Sequence, residues 1–102
     1  MYKEVKTKKE YRDLMEDMLT ETGSLIVRFP QIGIYKSIFD QLQDIKKTII
    51  VEQKELDEDE MDERYNLGGM ISKNFNSETE LYSRKLEDLF GAASEYYKLP
   101  TE

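Results

Sequence analysis

Three observations predict an all-α fold for this 102-residue chain, a compact antiparallel bundle of about four helices. Apolar residues recur at steps of three and four through most of its length, the spacing of one helix face. Two acceptor residues, Asp57 and Ser77, are each followed three positions on by a glutamate, the signature of a capping box at a helix start. No stretch alternates apolar and polar residues long enough to prefer a strand, and no hairpin dipeptide joins two such stretches. The length suits one helical domain over residues 1–102, with 38% hydrophobic residues supplying a modest core despite 36% charge.

In the first segment Tyr11, Leu14, Met15, Met18, Leu19, Leu25, Ile26 and Phe29 share one face, opposite Arg12, Asp13, Glu16 and Asp17. This predicts a helix over about 7–28. Gly23 interrupts the stripe, and Ser24–Val27 could instead form a short extended piece, but the apolar register survives past the glycine. Pro30 disfavours helical geometry at Phe29 and marks a break. Tyr35, Ile38, Phe39, Leu42, Ile45, Ile49 and Leu56 then hold helical phase over more than five turns. Thr48-Ile49-Ile50-Val51 would suit a strand by propensity, yet the phase runs through it. A third helix is expected from an Asp57 N-cap, paired with Glu60, to about Phe75, burying Met61, Tyr65, Ile71 and Phe75. Gly68-Gly69 in its middle costs about 1–2 kcal/mol of helix propensity, most easily offset by another backbone packing closely there. The Ser77/Glu80 box opens the last helix, with Leu81, Tyr82, Leu86, Leu89, Phe90, Ala93, Tyr96 and Tyr97 on its stripe and Pro100 closing it.

Composition excludes several function classes. With 22 acidic against 15 basic residues the net charge is −7, which does not favour nucleic acid. The absence of Cys and His excludes disulfides, Cys or His metal sites, a Cys nucleophile and His-based acid–base chemistry. No apolar run reaches the roughly 18 residues of a membrane span. The first twenty residues carry charge throughout, so no secretory leader and no membrane contact are expected, and the chain reads as cytoplasmic.

The charge is concentrated. Glu52, Glu55, Asp57, Glu58, Asp59, Glu60, Asp62 and Glu63 against Lys54 give residues 52–63 a charge of −7, that of the whole chain. Asp and Glu oxygens suit calcium or magnesium, but the run lacks the loop glycine and alternating spacing of such a site, so no metal is expected. No phosphate-cradling loop surrounds Gly68-Gly69, and no nucleophile or base pair presents itself. The chain is read as a non-catalytic binding protein without cofactors. Localised acid steers a basic partner, and a charged surface also serves solubility. Tyr96-Tyr97 could anchor an interface, with at least one of the two in the core.

The run Arg64-Tyr65-Asn66-Leu67-Gly68, then Lys73 and Phe75, then Ser83-Arg84, Leu86 and Asp88, resembles a family of bacterial immunity proteins. These neutralise a type VI-secreted toxin that hydrolyses NAD(P)+, and their pattern reads R-x-x-L-G, K-x-F, S-R-x-L-x-D. Arg28-Phe29-Pro30, Gln41-Leu42-Gln43 and Ile45 with its following base extend the resemblance over about residues 28–91. The acidic stretch is heavier than in the family, and Gly69 is an additional glycine. Leu67, Ile71, Phe75 and Leu86 also suit core positions, Gly68 a packing glycine, and Arg64 with Asp88 a structural ion pair. The resemblance implies an inhibitor that binds the catalytic domain of its cognate toxin and blocks the active-site cleft. Charge, and not the motif, nominates Asp57, Glu58, Asp59, Glu60, Asp62 and Glu63 as the partner-binding residues. The alternative is a non-catalytic helical adaptor or regulatory homodimer joined through Tyr96 or Tyr97, and a free immunity protein could itself be a homodimer.

Overall fold

The chain opens with a helix start whose backbone donors are all accounted for. In the computed structural model, which describes residues 5–76 and 79–102, α1 spans Lys8–Arg28. The Thr7 hydroxyl accepts from Glu10 N–H at 3.0 Å, and the Glu10 carboxylate accepts from Lys6 N–H at 2.7 Å. The N–H groups of Lys8 and Lys9 donate to the carbonyls of Pro100 and Thr101. The C-terminal tail thus satisfies donors that a helix start otherwise leaves to water. Gly23 does not break α1, and the helix ends before Pro30, with the N–H of Phe29 closing onto Leu25. Tyr11, Met15, Met18 and Thr22 form its buried face.

The second helix, α2 (Gly33–Ile45), buries Ile38, Leu42 and Ile45 and continues as a π-helical segment over Lys46–Val51. The β-branched cluster is therefore helical, but with a widened turn: Glu52 N–H reaches the Lys47 carbonyl, five residues back. Adjacent Thr48 and Ile49 both become buried. The regular phase expected as far as Leu56 ends here, because Gln53 adopts φ 55°, a left-handed conformation that no α-helix can carry through.

The single third helix expected over 57–75 is two helices, α3 (Glu58–Arg64) and α4 (Leu67–Asn74). On one continuous helix Met61, Tyr65 and Ile71 could share a broad face, but Leu67 would point about 120° away from Met61. Tyr65 is instead extended, and the break turns all four side chains into the core. The predicted Asp57/Glu60 capping box is present. Phe75 is half-buried, its ring 5.8 Å from that of Tyr82. A Cβ on Gly68 would lie 3.4 Å from the Phe90 ring, so a side chain and not a backbone approaches there, while Gly69 faces open space.

The last helix, α5 (Leu81–Ala93), buries Ser83, Leu86, Asp88, Leu89, Ala92 and Ala93, and a 3₁₀ turn at Tyr96–Lys98 follows it. Ser77 of the predicted capping box lies outside the described residues, and the Glu80 carboxylate accepts from Asn76 N–H at 3.0 Å. Among the described residues the fold is thus all-helical, with five α-helices, one more than the reading of about four, and no strand. Helix α1 packs against α2, α5 and the 3₁₀ turn, and α4 packs against α5. Their shared core centres on Tyr11, fully buried, whose hydroxyl donates to the Leu89 carbonyl at 2.9 Å. Tyr96 stacks 5.2 Å from that ring, while Tyr97 stays 46% exposed, so the core takes one tyrosine of the pair.

The two central glycines should respond oppositely to substitution. Gly69→Ala, helical and unobstructed, is expected to raise stability by about 0.5–1 kcal/mol in urea melts. Gly68→Leu must displace the Phe90 ring and should lower it by about 1–3 kcal/mol.

Candidate functional site

The six nominated carboxylates are all exposed, but they do not form one equivalent surface. Asp57 and Glu60 are engaged with each other's backbone: Glu60 N–H donates to Asp57 Oδ1 at 2.8 Å and Asp57 N–H to Glu60 Oε1 at 3.0 Å. The remaining four divide by helical phase. Glu58 and Asp62 lie together on one side of Met61, the residue that α3 buries, whereas Asp59 and Glu63 are turned about 100° further round. Glu58 and Asp62 border a hollow of about 200 Å³ floored by Met61, Phe90 and Gly91. Glu58 and Ser94 also border an adjoining hollow of about 380 Å³, closed by Tyr97 and Lys98 from the 3₁₀ turn. No three carboxylates converge as metal ligands would among the described residues.

Three polar residues on one side of the second helix hold α3 in place. Gln41 Nε2 donates to Asn66 Oδ1 at 2.7 Å. Tyr65 OH donates to Asp44 Oδ2 at 2.6 Å, and Arg64 Nε approaches the same oxygen at 3.3 Å. Arg64 Nη2 also donates to Thr48 Oγ1 at 3.2 Å, and its guanidinium lies 5.8 Å from the Tyr65 ring centre. Arg64 therefore pairs with Asp44 on α2, where the structural reading of the motif had offered Asp88. The Tyr65 hydrogen bond, with Arg64 alongside, holds the Asp44 carboxyl below the ordinary carboxylate range. Burial and the same hydrogen bond push the Tyr65 phenol up to about 12.

The other motif residues are distributed between core and surface. Leu67 and Leu86 are fully buried, and Ser83 is buried with its hydroxyl donating to the Glu80 carbonyl at 3.0 Å. Asp88 is buried, whereas Lys73 and Arg84 are exposed on α4 and α5. Arg84, Lys85, Leu14 and Leu81 surround a separate small hollow above Asp88. Sequence reading missed Asp44, Thr48 and Gln41 as the receivers of the Arg64–Asn66 corner. Their i, i+3, i+7 spacing was the available signal, but it reads equally as an ordinary solvated helix face. It also missed Phe90, Ser94 and Tyr97 as the residues facing the acids, since 27 or more residues separate them in sequence.

The Asp44 clasp has a pH window. A carboxyl whose folded pKa is depressed stabilises the fold above its unfolded value of about 4, and that contribution disappears as pH falls through the folded pKa. A phenol raised to about 12 contributes below its unfolded value near 10 and loses that contribution as pH rises through about 12. Tyr65→Phe is expected to lower stability at pH 7 by about 1 kcal/mol, less than a fully buried charged hydrogen bond because Asp44 is half-exposed. In thermal melts from pH 7 to pH 2.5 the gap between variant and parent should narrow below about pH 4.

No curated protein and no solved structure matches the chain. The family model described as Tsi6 matches residues 10–95, which takes in α1 to α5, the acidic segment and the clasp. By that match the chain belongs to the Tsi6 family, a family of type VI secretion immunity proteins.

Proposed function

We propose that this protein is the cytoplasmic immunity partner of a secreted interbacterial toxin, an NAD(P)+ glycohydrolase. It binds the toxin's catalytic domain, blocks the active-site cleft and carries out no catalysis of its own. Family membership supports the immunity role. The observation that carries the binding mode is the placement of charge. The acids at 57–63 stand on the surface of a helix clasped to α2 through Arg64 and Tyr65. A fixed negative surface loses little conformational freedom on binding and complements a cleft built to receive a dinucleotide's phosphates. Among the described residues no helix is long and apolar enough to cross a membrane.

Co-expression with the toxin domain encoded beside this gene tests the reading, with survival and cellular NAD(P)+ as readouts. Rescue of growth with NAD(P)+ preserved is the expected result. Rescue from a toxin that leaves NAD(P)+ untouched would retain immunity and reassign the toxin's chemistry. Absence of both rescue and complex would overturn the proposal. In the purified complex, reversing Glu58, Asp62 and Glu63 to lysine together should weaken binding at least about tenfold, or 1.4 kcal/mol. Unchanged affinity would remove the acidic segment from the interface.

A further inference from the structure

Two properties of the surface beside α3 go beyond its charge. The two hollows share Glu58 and Ser94 and so lie side by side, making up a groove between α3 and the C-terminal part of α5. Its floor is apolar, made by Met61, Phe90 and Gly91, and its rim is acidic, with Glu58 and Asp62 on the α3 side. Its far end already shows how a cation is held there. Lys98 Nζ lies 5.6 Å from the centre of the exposed Tyr97 ring and 3.3 Å from the Glu95 carboxylate. An aromatic face beside a carboxylate is the environment that receives a guanidinium or ammonium group. An apolar floor under that rim has room for the stem or neighbour of such a residue.

We propose that this groove receives a basic segment of the partner toxin, with an arginine or lysine against Glu58 and Tyr97 and an adjoining apolar side chain on Met61 and Phe90. The inference rests on the immunity reading above and divides the acidic segment by role. Glu58 and Asp62 make the short-range contact. Asp59 and Glu63, on the other side of α3, add only to the long-range field, which acts chiefly on association rate. Asp57 and Glu60 also border the larger hollow, beside Glu55, and add their charge there while their carboxylates hold the helix start.

Two matched variants separate these roles, since each removes two charges from one helix and leaves the capping box intact. Binding of the purified toxin domain encoded beside this gene is measured by surface plasmon resonance, with circular dichroism melts verifying that each variant is folded. Glu58→Gln with Asp62→Asn should weaken binding at least about tenfold, mainly through faster dissociation. Asp59→Asn with Glu63→Gln should change it less than about threefold, mainly in association. Tyr97→Ala should weaken binding and Tyr97→Phe should preserve it, because the ring and not the hydroxyl meets the cation. Equal losses from the two charge pairs would overturn the groove while the parent's binding left immunity standing. Failure of the parent protein to bind or protect would overturn the immunity reading itself. The chain contains no cysteine, which permits a second test independent of energetics. Bound toxin should shield Asp62→Cys from maleimide and leave Glu63→Cys reactive, and the opposite pattern would also overturn the groove.

Discussion

The placement of the acidic segment depends on one carboxylate, Asp44. It accepts from Tyr65 at 2.6 Å and faces Arg64 at 3.3 Å, and those two residues end α3 and begin the turn into α4. Helix α3 is seven residues long and buries Met61, too little to form or hold a helix by itself. Its start is fixed by the Asp57/Glu60 box and its end by the clasp to α2. The clasp also explains why a chain can carry −7 within twelve residues without that stretch coming loose. Arg64, at the boundary of the run, carries a single positive charge and directs it to Asp44 and Thr48 of the second helix and its π-helical continuation.

The rest of the fold supports that arrangement from behind. Helix α1 runs along both α2 and α5, and its start is tied to the C-terminal tail through the Pro100 and Thr101 carbonyls. Tyr11 joins these pieces through Leu89 and Tyr96. The groove wall on the α5 side therefore stands on the same packed core as the helix that receives the clasp. The walls also meet where Tyr65 lies edge-on to Phe90, 6.5 Å between ring centres, and the hollow beside that contact faces outward.

Much of this was legible in the sequence, and the failures have a common cause. The extent of α1, the stop at Pro30 and the Asp57 cap follow from local chemistry, and the structure agrees with them. Helical periodicity did not show where a helix breaks while its residues still face inward. Met61, Tyr65, Ile71 and Phe75 fit one stripe, and Leu67, buried but off that stripe, was the available sign of a turn at residue 66. Thr22 was passed over as polar, although it is fully buried and shares a 2.7 Å hydrogen bond with Tyr82 OH. Along the second helix the stripe continued to Leu56 by arithmetic, while the widened turn and the left-handed Gln53 ended it earlier. Contacts across the fold, such as Arg64 with Asp44 or Phe90 with Gly68, leave no imprint on spacing at all.

The family pattern and the acidic residues occupy different parts of the molecule, the first largely packed and the second exposed. Leu67, Gly68, Phe75, Ser83, Leu86 and Asp88 are buried or packed, and Arg64 is the clasp, so most of the pattern specifies how α3, α4 and α5 meet. Substitutions there act first on stability, because they open cavities or strand buried polar groups. The carboxylates between Asp57 and Glu63 are exposed, and the four outside the capping box contribute little to the core, so their identities are free to follow a partner's surface. An inhibitor that must match one toxin while keeping one fold needs that separation. The corner at Arg64–Tyr65 ties the end of α3 to Asp44 and Thr48, so on the proposed reading the exposed carboxylates of α3 can change without disturbing the frame.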